Sequence, residues 1–279
     1  MLNIDLHIHT IYSDGTYTPE EVVHRAKELK LAAISITDHD SVAGLVGAIA
    51  AGKKSGMEIV PGIEMSADMG EDEIHLLAYY LNWKDKSFLS QLNEFQSARA
   101  KRNQKLIERL AGLGMEINHG ELKGLAPRGV ISRLHIARLM VRKGYVPSIG
   151  AAFEEWLNPG KPAYVKKMEV SPFQIIQLIL QVGGIPVFAH PYLSKRDDLI
   201  PDLVKAGLKG IEVYHNAHNS QISKHYKKIA EKYHLLITGG SDCHGEAKDK
   251  VLMGKVKVPA FLLDDLKRAA RKQNVLCLD

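Results

Sequence analysis

The chain has 279 residues, 45% of them hydrophobic and 25% charged with only 11 prolines, which fits a folded globular protein and excludes a disordered or low-complexity one. No run of about 18 uncharged apolar residues occurs, so no membrane span is expected, and the chain opens on a strand where a signal peptide would carry basic, apolar and cleavage regions. Its two cysteines, Cys243 and Cys277, are few for a disulfide framework, and a reducing cytoplasm is the simplest expectation.

Residues 2–6 read as a first strand, with His7 and His9 at its end. Residues two apart in an extended chain face the same way, so both imidazoles can meet one ion. Asp14, just before Gly15, can curl back over the strand end and add a carboxylate, giving a partial shell for zinc, manganese or iron. Thr18-Pro19-Glu20-Glu21 then starts a helix, with Thr as cap, Pro at the first position and acids in the first turn. A buried strand over residues 31–37 ends in Asp38-His39-Asp40, and Ser41 is expected to cap a helix reaching residue 55. Residues 58–63 form a strand ending at Glu64. A fourth strand, residues 73–80, holds His75 and has no helix before it.

Residues 88–113 are helical, and a further helical stretch broken by glycines, Pro127 and Pro147 runs to about residue 165 without strand alternation. This region reads as an insertion, residues 96–168, in a barrel made of residues 1–95 and 169–279. Residues 96–167 carry 14 Lys/Arg against 5 Asp/Glu, while the remainder is net acidic. A basic segment on an acidic body suggests a part that handles anions, phosphates above all.

From Ser171-Pro172 the alternation returns. A helix leads to a strand over 185–189 ending in His190, a helix near 199–206 to a strand over 210–214 ending in His215, and a helix over 220–233 to a strand over 235–238. Gly239-Gly240-Ser241-Asp242-Cys243-His244 follows, and a last strand near 252–258 and a helix over 262–272 close the chain. Strands mostly alternating with helices argue for a parallel, barrel-like α/β fold, in which active groups gather at the C-terminal strand ends. Each strand end or its flank carries a His, Asp or Glu. Nine such groups exceed what one ion needs and fit two or three. Cys243 would face away from Asp242 and His244 and reads as packing; no Gly-x-Gly-x-x-Gly pattern supports dinucleotide binding.

His7-x-His9, Ser13-Asp14-Gly15, Thr37-Asp38-His39, Gly62-Ile63-Glu64, His75, His190-Pro191 and Gly240-Ser241-Asp242-x-His244 together resemble the motifs of the PHP (polymerase and histidinol phosphatase) phosphoesterases. The resemblance implies a distorted (β/α)7, TIM-like barrel holding up to three divalent ions (Mn, Zn or Fe). It would place His7, His9, Glu64 and Asp242 on a first metal, with Glu64 bridging to a second completed by His75 and His190. Asp14, His39 and His244 would hold a third. Glu64, Asp242 and His190 are then the catalytic groups, since cations about 3.5–4 Å apart can activate water and clamp phosphoryl oxygens.

Within the family, the insertion resembles that of the branch acting on nucleoside 3′,5′-bisphosphates and short 5′-phosphorylated RNA, with Leu134 and Cys243 standing where Pro and an aromatic are usual. Arg99, Arg102, Arg133, His135 and Lys161 are read as phosphate-gripping, because guanidinium forks match phosphate oxygens. His215 and His218 are left as residues able to touch substrate. The expected activity is phosphate-ester hydrolysis on a small nucleotide or short oligoribonucleotide, with no membrane or obligate protein partner. Histidinol-phosphate hydrolysis, hydrolysis of carbon esters or amides, and a metal-retaining nucleic-acid-binding module without catalysis are the alternatives.

Overall fold

The computed structural model describes residues 2–70, 72–126, 128–166, 170–248 and 250–272. Pro127 and Cys277 lie outside these. The sheet is built from β1 (Asn3–Ile8), β2 (Ala33–Ile36), β3 (Glu58–Met69), β4 (Asp72–Tyr79), β5 (Ile185–Phe188), β6 (Gly210–Tyr214), β7 (Leu236–Gly239) and β8 (Val258–Pro259). The helices are α1 (Pro19–Glu28), α2 (Gly44–Ser55), α3 (Lys86–Gly112), α4 (His119–Leu125), α5 (Arg133–Arg142), α6 (Ile149–Ala152), α7 (Pro172–Gln181), α8 (Pro191–Ser194), α9 (Ile200–Lys205), α10 (Ser220–Tyr233) and α11 (Leu262–Lys272).

The strands run β7-β6-β5-β4-β3-β2-β1-β8 in one curled sheet. The ring nearly closes where the chain leaving β7 meets β1. Ile8 and Cys243 form a parallel bridge there, and the His9 N–H donates to the Cys243 carbonyl at 2.9 Å. Asp5, fully buried in β1, reinforces the seam by accepting from the N–H groups of Ser241 (2.8 Å) and Gly254 (3.1 Å). The result is the distorted TIM-like barrel that the motifs implied.

Several local expectations are corrected. The sheet is not uniformly parallel, because β4 runs antiparallel to both β3 and β5. A two-strand hairpin needs no crossover helix, which is why none precedes β4. For the same reason β3 continues past Glu64 to Met69, so that Glu64 lies inside a paired strand and not at its end, while His75 lies inside β4 as expected. Ser41 does not cap α2: the helix starts at Gly44, and the Ser41 hydroxyl accepts from the Ala43 N–H in the turn before it. The last strand shrinks to Val258–Pro259, antiparallel to β1.

One apolar cluster joins α1, α2, α7, α9 and α10 to the sheet through residues such as Val22, Leu45, Ile176, Leu203 and Tyr226. A second packs α11 (Leu262, Leu263, Leu266) on Ile4, Leu6, Val60 and Tyr79. α3 spans residue 96 without a break. Its first half (Phe88, Leu92, Phe95) belongs to the main cluster, and its second half (Leu106, Leu110) to a separate core with Leu122, Ile136, Met140, Leu157 and Val165. The basic region thus buries its own apolar faces while one continuous helix holds it to the barrel.

At Gly240 a Cβ would stand 2.4 Å from the His7 nitrogen and 2.3 Å from its Cβ, so only glycine lets this loop lie on β1. Gly240→Ala should therefore lower stability by about 1–3 kcal/mol through overpacking against backbone. Gly112→Ala, where nothing lies within 4 Å, should be neutral or stabilising. Thermal melts of the two variants check the contrast.

Candidate metal centre

The site starts from β1. His7 and His9 are fully buried, and the His7 Nδ1 lies 3.0 Å from the Glu212 Oε1. A carboxylate accepts, so Nδ1 carries its hydrogen towards Glu212, and Nε2 turns to Glu64 Oε2 at 3.3 Å and Asp242 Oδ1 at 3.6 Å. His9 Nε2 is 3.2 Å from the same two oxygens. The loop after β1 is pinned by buried Asp38, which accepts from the Thr10 N–H (2.7 Å), the Thr10 hydroxyl (2.6 Å) and the Ser13 hydroxyl (2.6 Å). A Cβ on Gly15 would meet the His9 carbonyl oxygen at 2.4 Å, so glycine permits the fold-back. Asp14 then lies 3.3 Å from His244 Nε2, 3.8 Å from His9 Nδ1 and 3.9 Å from His39 Nε2.

Glu64 is the centre of the arrangement. Besides His7 and His9, its oxygens face His39 Nδ1 (3.1 Å), His75 Nδ1 (2.9 Å) and His190 Nε2 (2.9 Å). His190 (φ 26°), Asp242 (φ 51°) and Asp40 (φ 50°) have left-handed backbone, which costs non-glycine residues about 1–3 kcal/mol each. That strain sits at the site itself.

These side chains suit divalent cations on physical grounds. Nitrogens and oxygens of His7, His9, Asp14, His39, Glu64 and His75 are buried and face one another without hydrogen-bond geometry. Their ligating atoms gather within 4.8 Å in three overlapping groups: His7, His9, Glu64, Asp242; His9, Asp14, His39, His244; and His39, Glu64, His75. Mixed imidazole and carboxylate donors at that spacing fit Zn, Mn or Fe. All nine residues singled out from the sequence meet in this one cup, His190 entering through its contact with Glu64.

Burial pushes the Glu64 carboxyl up, but His39, His7 and His75 hold it well below the usual carboxylate range. The imidazoles divide. Burial lowers His9 and His75, yet Asp242 and Glu64 raise His9 to about 9, and Glu64 and Glu73 raise His75 to about 10. His39 is instead carried down to about 3 by burial, against the pull of Glu64 and Asp14.

Two neighbours escaped the sequence reading, and a third had been left open. Glu212 orients His7 and also accepts from the His190 N–H at 2.8 Å. Lys248 reaches Asp242 Oδ2 at 3.0 Å, and His215, left open earlier, lies 3.7 Å from the same oxygen. The available signal was a lone carboxylate within the apolar strand Gly-Ile-Glu-Val-Tyr; nothing local marked Lys248.

The cup opens into a cavity of 350 Å³ whose wall includes Arg99, Arg133 and Lys248. A second cavity, 280 Å³, adjoins it and shares Arg133, Glu73 and Leu193. Arg102 lines this second space, 4% exposed, its Nε and Nη2 without an acceptor among the described residues. Arg99 is buried against Asp40 and Ser66, and Arg133 pairs with Glu73. His135 Nδ1 accepts from the Ser132 N–H (3.0 Å) as part of the cap of α5, so half of its imidazole serves the helix. Lys161 is exposed and outside the walls of both cavities.

A metal ligand must present a lone pair, and at pH 7.5 His9 and His75 are protonated in the metal-free protein. Loading with Mn²⁺ or Zn²⁺ should therefore release protons, and affinity should rise as pH climbs from 7 towards 9. Calorimetric titration in buffers of different ionisation enthalpy measures this; binding heats independent of the buffer would contradict it.

Comparison with known proteins gives the family. The PHP domain model matches residues 5–157. A 3′,5′-nucleoside bisphosphate phosphatase of Chromobacterium violaceum is 32% identical over 88% of each chain. A 5′-3′ exoribonuclease of Escherichia coli is 32% identical over 92% of this chain and 90% of its own. A crystal structure from Bifidobacterium adolescentis, assigned as a metal-dependent phosphoesterase, superposes with a TM-score of 0.88 at 28% identity over 96% of both chains. With its barrel, its clustered donors and these relatives, the chain belongs to the PHP-domain family of metal-dependent phosphoesterases.

Proposed function

We propose that the chain hydrolyses the 3′-phosphate ester of nucleoside 3′,5′-bisphosphates and the corresponding bond of short 5′-phosphorylated oligoribonucleotides. The observation that carries this is the pair of adjoining cavities, one lined by metal-ligand candidates and the other by Arg102 and Arg133 together with Asp68, Asp72 and Glu73. Of these acids Asp72 is paired with Arg196 and Glu73 with Arg133, while two nitrogens of Arg102 have no acceptor among the described residues. Such a site suits a substrate with two phosphates. The bisphosphate phosphatase and exoribonuclease relatives act on substrates of these two kinds.

In this reading His7, His9, Glu64 and Asp242 hold one cation, Glu64, His75 and His190 a second, and Asp14, His39 and His244 a third. Manganese, zinc and iron all suit the donors, and the oxygen of Asp14 favours manganese at the third position. Bound cations supply Lewis acidity and a water acidic enough to be ionised near neutral pH. The protein does the positioning. Arg102 receives the 5′-phosphate, which sets the 3′-phosphate over the cup, and Arg133, held by Glu73, adds positive potential beside it. Arg99 is held by Asp40 and adds positive potential to the wall, as does Lys248 beside Asp242. Residues 96–168 act as a substrate cap, with His135 at the edge of that wall and Lys161 outside the clamp. Histidinol phosphate, with one phosphate, would leave the arginine-lined cavity unused. The cytoplasmic assignment stays as the cysteines suggest it, and no described helix is long and apolar enough to cross a membrane.

Arg102→Ala should raise the KM for adenosine 3′,5′-bisphosphate about 10- to 100-fold, the value of a lost charge-assisted phosphate contact, and leave adenosine 3′-monophosphate nearly unaffected. Equal losses on both substrates would remove the 5′-phosphate clamp. Glu64→Gln should take phosphate release below detection and lower the metal content by elemental analysis, with an unchanged circular dichroism spectrum. Full turnover in that variant would end the metal assignment.

A further inference from the structure

A third space in the molecule has no part in the bisphosphate reading. It measures 600 Å³ and lies between α5, the turn before α6, and the segment after Asp242-Cys243-His244. Its walls share Ile149 and Lys248 with the 350 Å³ cavity over the cup, so the two spaces are neighbours across those side chains. Arg138 and Arg142 stand one turn apart on α5 and share a face, their Cβ atoms about 5–6 Å apart by helix geometry. Neither has a carboxylate within ion-pair distance among the described residues, and with Lys248 they outnumber the single acid of the lining, Glu246. Leu125, Val141, Pro147 and Val251 supply apolar surface between the cations. Arg138 and Arg142, without ion-pair partners among the described residues and beside apolar surface, suit a nucleotide, with phosphate on the arginines and base against the aliphatic wall. The volume is that of a small-molecule pocket, about 300–1,000 Å³.

We propose that this cleft holds the nucleotide on the 3′ side of the scissile phosphate when the substrate is a 5′-phosphorylated oligoribonucleotide. The proposal rests on the function inferred above. The bond chemistry shows why a single cup serves both substrates. In each, a water oxygen forms the new bond to phosphorus, the bond from phosphorus to O3′ breaks, and the water's two hydrogens go to O3′ and to the phosphate. In the bisphosphate the remaining phosphate oxygens are bare, and inorganic phosphate leaves. In the oligomer one of them carries the next nucleoside through its O5′, and the shortened strand leaves with a 5′-phosphate. That extra nucleoside needs a place outside the cup, and the basic cleft provides one.

The test compares the metal-loaded wild type with the Arg138→Ala/Arg142→Ala double variant on 5′-phosphorylated tri-adenylate and on adenosine 3′,5′-bisphosphate. On the trimer, kcat/KM should fall about 10- to 100-fold and lose part of its salt dependence; on the bisphosphate it should stay within about twofold. Arg142→Glu alone, at an exposed position, should move the trimer rate in the same direction with no effect on the bisphosphate. Parallel loss on both substrates, no loss on either, or a wild type that does not cut the trimer would each overturn the cleft assignment. A wild type that releases no phosphate from the bisphosphate would instead overturn the function on which it rests.

Discussion

The arrangement depends on one buried carboxylate. Glu64 lies within 3.3 Å of nitrogens from five imidazoles that arrive from four different stretches of chain. Burial alone would neutralise a carboxyl there, and the imidazoles around it reverse the effect. The converse holds for His9 and His75, which keep protons only because Glu64 and its neighbours oppose them. Without cations the cluster is a set of proton-stabilised pairs. A divalent ion binding there would have to displace those protons, which couples metal affinity to pH through the same atoms.

Placing that carboxylate inside a strand, and not on a loop, has a structural consequence. β3 and β4 form a long antiparallel ladder in which Ser66 pairs with His75 and Glu64 with Leu77. Both functional side chains are therefore held by backbone pairing on either side. The loops do the complementary work. Asp38 fixes the Asp14 loop with three hydrogen bonds, and Asp5 fixes the loop that presents Asp242. Buried carboxylates of this kind hold the loops that carry Asp14 and Asp242 in place.

The basic region contributes by electrostatics at close range. Arg102, buried beside Arg133 and Arg99, is a poorly compensated cation in a low-dielectric setting, a costly arrangement unless an anion completes it. Arg99 and Arg133 show the other outcome, since each is already matched by an acid, Asp40 or Glu73. Three arginines that look alike along the chain thus have different capacities for a phosphate, and burial with pairing distinguishes them.

Much of this was written locally. Regularly recurring apolar runs gave the α/β alternation, and imidazoles and carboxylates in or just after those runs pointed to a shared site, from which the resemblance to the PHP motifs picked out the nine candidates. The helix cap at Thr18 was readable too, its signal lying within four residues. The direction of β4, the extent of β3, the roles of Glu212 and Lys248, and the exposure of Lys161 were not readable. Each depends on which distant segment lies alongside: Glu212 is 205 residues from the His7 it orients. The sequence by itself determined the inventory of donors and the class of fold, since composition and spacing are properties of short segments. Only the tertiary structure decided which charges are paired and which are left for a ligand, because the pairing energy belongs to contacts that the chain makes after it has closed on itself.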